Sequence, residues 1–200
     1  MNEVNICNLA LSLIGNKTIT SIETPVSTEE KICSLWYDTT RKQALIEASP
    51  NFARARKYIP LSNIENPFGF KYAYQKPNDC LKVLGIGETY ETQHNYCVEG
   101  NYIFTDDNEN NSLPIRYIRD ESTINYFSPA FIQYFACCLA VNICYQLNKD
   151  NNVKQLLEVR KQQELIRTNT TDNQESKIMI IHRNDYEASR YGLPYRRIQK

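Results

Sequence analysis

The sequence is poor in what reactive chemistry needs. Only two of its 200 residues are histidine, His94 and His182. The seven cysteines (positions 7, 33, 80, 97, 137, 138 and 144) include no Cys-x-x-Cys pair, so the tight spacing of a zinc site is missing. An odd number of unpaired thiols reads as free cysteines packed in a core in a reducing compartment. There is no G-x-S-x-G and no P-loop, and Gly85-Ile86-Gly87 lacks the third glycine and the helix of a dinucleotide fingerprint. Net charge is zero, with 23 basic and 23 acidic residues. Neither half departs from balance: residues 1–100 carry 10 against 11, residues 101–200 carry 13 against 12. That excludes a protein that coats nucleic acid or an anionic membrane through bulk charge. Met1-Asn2-Glu3 opens no basic segment followed by an apolar run, so no export signal is expected.

What is present is a globular composition. Hydrophobic residues make up 42% and tyrosine alone contributes 14 positions, too apolar for disorder. The length suits one domain or a core with one appendage, enough to bury roughly 70% of the unfolded surface.

Apolar spacing predicts a helix over residues 3–15, with Gly15 as its left-handed stop. Ser27 and Glu30 fit a capping box that opens a second helix over residues 28–48, and Pro50 disfavours helix at Ser49. Residues 51–119 are rich in Tyr, Pro, Gly and Asn and read as a small antiparallel sheet inserted between helices. Its expected strands are 52–59, 70–74, 80–86, 96–99, 102–105 and 113–119, with hairpin turns at Glu99-Gly100-Asn101 and in the polar run 106–111. Ser128-Pro129 starts a third helix over residues 129–147. This segment is apolar nearly all round and approaches the length of a membrane span, but Gln133, Asn142 and Gln146 favour a buried central helix. The small residues Ala136, Cys137, Cys138, Ala140 and Cys144 suit close helix packing. A short polar connection, with Asp150 as cap, leads to a fourth helix over residues 151–167 and an antiparallel hairpin. Residues 168–176 read as a polar linker. The expected fold is thus α+β: a helical bundle core of about four helices, an inserted small antiparallel β-sheet and an extended C-terminal arm. The domain covers 1–176 and the arm 177–200.

Few constellations invite chemistry. Cys97 and His94 are three apart, which on a strand points them to opposite faces. Asp106-Asp107 and Glu29-Glu30 are explained by solvation and capping. The run Arg54, Arg56, Lys57 is more informative. On a strand Phe52, Arg54, Arg56 and Tyr58 share a face, which suits a phosphate or an acidic partner and equally an ordinary solvated face. The arm opens with Ile178-Met179-Ile180-Ile181 and continues through Tyr186, Arg190, Tyr191, Tyr195, Arg196 and Arg197. Apolar residues followed by Tyr and Arg suit docking on another protein surface.

Several segments in order carry a resemblance. They are Asn8–Gly15 (NLALSLIG), Ile19–Ile22 (ITSI), Cys33–Arg41 (CSLWYDTTR), Ser49–Arg54 (SPNFAR), Tyr72–Leu81 (YAYQKPNDCL), Ile115–Ile118 (IRYI) and Ser128–Phe131 (SPAF). Together they are similar to the head-to-tail adaptors of short-tailed bacteriophages, the tail tubular protein A type. The most specific part is Y-x-Y-x-x-P-x-D-C-L after P-x-F-A-R, and the likeness runs from residue 4 to about 167. Asn51 stands where the family often has a tryptophan, and the arm is longer and richer in Tyr and Arg.

The resemblance implies a virion structural protein at the head–tail junction, made in the host cytoplasm, with no catalysis and no cofactor. Its copies, usually twelve, form a ring that joins the portal to the tail nozzle or fibres and lets DNA through. Net neutrality suits such a channel, because many Lys and Arg contacts would hinder ejection. Competing readings are a head-completion protein of a long-tailed phage, a tail-borne polysaccharide or cell-wall hydrolase, and a DNA-binding regulator.

Overall fold

Local capping chemistry sets where the helices begin and end. In the computed structural model, which describes residues 1–64, 69–88, 94–107, 111–148 and 150–175, helix α1 spans Glu3–Leu13. The Asn2 carboxamide oxygen accepts from the Asn5 N–H at 2.9 Å, and Gly15 takes φ +72° as the chain leaves. Helix α2, Thr28–Ala48, opens on the expected reciprocal cap: Ser27 Oγ accepts from the Glu30 N–H (3.2 Å), and the Glu30 carboxylate accepts from the Ser27 N–H (3.0 Å). The helix stops at left-handed Ser49 before Pro50. Helix α3 spans Pro129–Asn148. Asp150 then accepts from the Asn152 N–H at 2.8 Å and opens helix α4, Asn151–Glu175.

Helix α3 is the hub. It packs on α1, α2 and α4, and its ten buried residues include Phe131, Tyr134, Phe135, Leu139 and Ile143. By length and hydropathy it is the one helix among the described residues that could cross a membrane; here three neighbouring helices cover most of its apolar surface. All five small residues along it are buried. Burial of large side chains at this density supplies the main driving force, about 1.5–3 kcal/mol for each fully buried aliphatic or aromatic residue.

The β module lies between α2 and α3. Strands β1 (Arg54–Pro60), β3 (Cys80–Ile86) and β6 (Ser112–Arg119) form one antiparallel sheet in the order β1-β6-β3. Strands β2 (Tyr72–Gln75), β4 (Tyr96–Glu99) and β5 (Tyr102–Thr105) form another in the order β2-β5-β4. There are therefore two three-stranded sheets where one was expected. They are linked where the chain beyond β1 runs on to bridge Leu61 with Tyr74, and the Ser62 N–H donates to the Ala73 carbonyl at 2.9 Å. Between them lies a second core of Ile59, Tyr74, Ile86, Ile103, Leu113, Ile115 and Tyr117. The β4–β5 hairpin turns at Gly100, φ +55°, a conformation that favours glycine.

Two further sequence expectations fail for tertiary reasons. Phe52 is not on a strand. It sits in a 3-10 turn (Asn51–Ala53), and its ring meets Phe127 and Phe131 in the helical core at 5.2 and 5.0 Å. Helix α4 does not stop at Arg167 but runs through the expected linker to Glu175. There Thr168 and Asp172 are buried, Asp172 Oδ2 accepts from the Asn51 N–H (2.9 Å), and Asn51 Nδ2 donates to the Asp172 carbonyl (2.7 Å). Docking on the start of the β module outweighs the poor helix propensity of Thr-Asn-Thr-Thr-Asp-Asn. The arm, residues 177–200, lies outside the described residues.

Candidate functional site: the basic face of the first strand

Strand pairing decides which basic residues meet. Residues directly opposed in an antiparallel ladder share a face. Arg56 opposes Arg116, Tyr58 opposes Pro114, and Lys57 opposes Ile115. Arg54, Arg56, Tyr58 and Arg116 therefore lie on the face turned away from the second sheet. Lys57, though exposed, projects from the other face.

Arg54 has a local task. Its Nε donates to the Ser49 carbonyl at 3.1 Å, while Lys82 Nζ reaches the Ile46 carbonyl (3.3 Å) and Ser49 Oγ (3.4 Å). Helix α2 has no basic residue in its own last turn, so these two sheet residues bring positive charge to its carbonyl end. Arg116 lies over Gly85. A β-carbon there would stand 2.9 Å from Arg116 Nη2, which also donates to the Ile86 carbonyl at 3.4 Å. The absent side chain is what lets the guanidinium lie across the strand. Beside it opens a cleft of about 300 Å³ lined by Arg56, Lys57, Tyr58, Gly87, Glu88, Pro114, Ile115 and Arg116, with the Tyr58 hydroxyl donating to Glu88. Arg56 and Arg116 thus stand at opposed positions of the ladder on one side of this cleft.

Arg116 is the member of this face that sequence reasoning missed, because only the β1–β6 register brings it beside Arg56. The arm residues Tyr186, Arg190, Tyr191, Tyr195, Arg196 and Arg197 lie outside the described residues. A second hollow, of about 570 Å³, lies between the start of α3 and the second half of α4, lined by Gln133, Arg160, Glu164, Arg167 and Glu175 among others.

Several other titratable groups are engaged in holding the fold. His94 Nδ1 bonds Asp107 Oδ2 at 2.6 Å, and its ring fills the space over Gly87. Cys97 donates to Glu99, and that hydrogen bond pushes the thiol pKa up. Arg41, 5% exposed, reaches Asp120 and the Glu121 carbonyl (both 2.6 Å) and Asp38 (2.7 Å). Asp38 is held below the usual carboxylate range by Lys42 first and Arg41 second. Glu30 is drawn down to about 2 by the N–H groups of Val26 and Ser27. Among the described residues no three His, Cys, Asp or Glu side chains cluster as metal ligands.

No protein-family model and no curated protein matches the chain.

Proposed function

We propose that the chain is a non-enzymatic virion protein, a head-to-tail adaptor whose copies form a ring, twelve on the family's pattern, between portal and tail. DNA passes through the centre of that ring. The observation that supports this reading is where the resembling segments fall. Pro50–Arg54 is the joint between helices and β module: Phe52 stacks in the helical core, Ala53 is buried, and Arg54 caps α2. Tyr72–Leu81 fastens the module's other side. Tyr74 is fully buried, Asp79 accepts from the Tyr117 hydroxyl, the Asp79 carbonyl accepts from the Asp120 N–H (2.7 Å), and Leu81 packs on the helical core. A likeness concentrated at joints suits a scaffold that holds two larger bodies in fixed relation.

In this reading Arg56, Arg116 and Lys57 contact an acidic partner or channel DNA, and the Tyr- and Arg-rich arm contacts a neighbouring copy or the portal. Electron microscopy of the purified chain, alone and mixed with the portal ring of its own virus, tests it. The expected result is ring density added beneath the portal, weakened when residues 177–200 are deleted. A chain that never engages the portal, or that cleaves a cell-wall polysaccharide, refutes the reading.

A further inference from the structure

Two of the seven cysteines face each other across a helix joint. Cys7 lies in the second turn of α1 and Cys33 in the second turn of α2, and neither exposes any surface. The linker between the two helices sets their spacing. The Asn8 carboxamide takes both backbone groups of Ile19, donating to the carbonyl at 3.1 Å and accepting from the N–H at 2.7 Å. One residue on, the Thr20 hydroxyl donates to the Glu30 carboxylate at 3.2 Å, and that carboxylate also accepts from the Val26 N–H at 2.8 Å. A relay of hydrogen bonds thus runs from the residue after Cys7 to a residue three before Cys33. It ties α1 to the start of α2 at the level of the two thiols.

Across that joint Cys7 donates a hydrogen bond to Cys33, which raises the pKa of the first thiol and lowers that of the second. A disulfide needs β-carbons about 4 Å apart, and two thiols in hydrogen-bond contact reach that spacing with small side-chain adjustment. The other cysteines are placed differently. Cys144 is six and seven residues from Cys138 and Cys137 on α3, about 9–10 Å along the axis, beyond disulfide reach. Cys80 and Cys97 belong to different sheets.

We propose that Cys7 and Cys33 form a redox latch between α1 and α2, two thiols in a reducing medium and one disulfide in an oxidising one. The oxidant is a small-molecule disulfide such as oxidised glutathione. The Cys33 thiolate attacks one of its sulfurs and expels a small thiolate. The Cys7 thiolate then attacks the Cys33 sulfur of the mixed disulfide and expels the second. The two protons lost from the cysteines end on the two small thiols, so the protein is oxidised by two electrons and the glutathione disulfide is reduced by two. Because both sulfurs are buried, the exchange waits on local opening of α1 from the body. The latch closes a loop of 25 residues, Asn8–Ile32, and stabilises the fold chiefly by restricting the unfolded chain. It belongs to a single chain and stands whether or not copies form a ring.

The test is a peptide map of the full chain after a day in oxidised glutathione at about pH 8, where thiolates form. The chain is alkylated in denaturant without reductant, cut with trypsin and weighed. The expected product is Met1–Lys17 joined to Ile32–Arg41, two hydrogens lighter than the sum of the free peptides and separated by dithiothreitol. The oxidised chain is expected to melt about 5 °C above the dithiothreitol-treated one. Cys33→Ser, compared with itself in the two media, is expected to show no such rise. A second map, made after refolding from urea in the same glutathione buffer, removes access as an obstacle. Three results overturn the latch: both peptides recovered unjoined in both maps, Cys7 or Cys33 joined instead to another cysteine or another chain, or an equal rise in melting temperature for Cys33→Ser.

Discussion

Replacing Arg41 with methionine isolates the tie between α2 and the exit of the β module. Methionine keeps an apolar stem in the 5%-exposed site but removes three charge-assisted contacts, to Asp38, Asp120 and the Glu121 carbonyl. Removing one partner of a buried ion pair costs about 3–5 kcal/mol, because the other charge stays behind unpaired. Asp120 is 28% exposed and keeps Lys42 at 3.7 Å, so the low end applies and the expected loss is about 3 kcal/mol. Asp38 belongs to the same group but is 61% exposed, and Asp38→Asn is expected to cost less than about 1 kcal/mol. Urea denaturation followed by circular dichroism gives both values by linear extrapolation. In a cycle with Asp120→Asn, the double variant is expected to lose less than the sum of the singles by about 1–2 kcal/mol, since the two share one interaction. An Arg41→Met chain within 1 kcal/mol of wild type, or Asp38→Asn costing as much as Arg41→Met, refutes the reasoning.

Glu30 carries a pH dependence of known sign. Its pKa is lowered from 4.5 to about 2 in the folded chain, so its contribution is complete above 4.5 and is lost as pH falls through that window. The melting-temperature gap between wild type and Glu30→Gln is therefore expected at pH 7 and should vanish near pH 2. Phe52→Ala, which empties the space between Phe127 and Phe131, is expected to cost about 3 kcal/mol in urea unfolding. Gly87→Ala meets a φ of +88° and would place its β-carbon 2.3 Å from His94 Nε2. It is expected to destabilise by more than about 1 kcal/mol, and adding His94→Ala should recover only part of that, because the backbone strain remains. Arg56→Gln with Arg116→Gln is expected to weaken portal or DNA retention measured by co-sedimentation, while the circular-dichroism spectrum stays that of the folded chain.

Much of this fold could be read from local chemistry. Ser27, Glu30 and Pro50 mark both ends of α2, Gly15 marks the end of α1, and Asp150 marks the start of α4, because capping acts over four or five residues. Four strand positions were likewise visible within a residue. What stayed hidden depends on contacts between distant segments. Asp172 holds Asn51 across 121 positions and thereby keeps Thr168–Glu175 helical. Phe52 was drawn off the strand by aromatic partners 75 and 79 residues away. The division into two sheets follows from β6 pairing on both sides, which no local pattern encodes. The same holds at the candidate site. Arg54 and Arg56 stood out in the sequence, but their separate tasks and the place of Arg116 follow from the ladder register and from a vacant side chain at Gly85.

The β module leaves and rejoins the helical body along one ladder, Arg54 opposite Ile118. Because those two ends are already hydrogen-bonded neighbours, the roughly sixty residues between them place almost no closure burden on the bundle. The outer sheet of β2, β4 and β5 can therefore be lengthened or shortened with the four helices undisturbed, so long as the rungs beside Phe52 and the Asp79, Leu81 and Lys82 contacts to the helical body are kept.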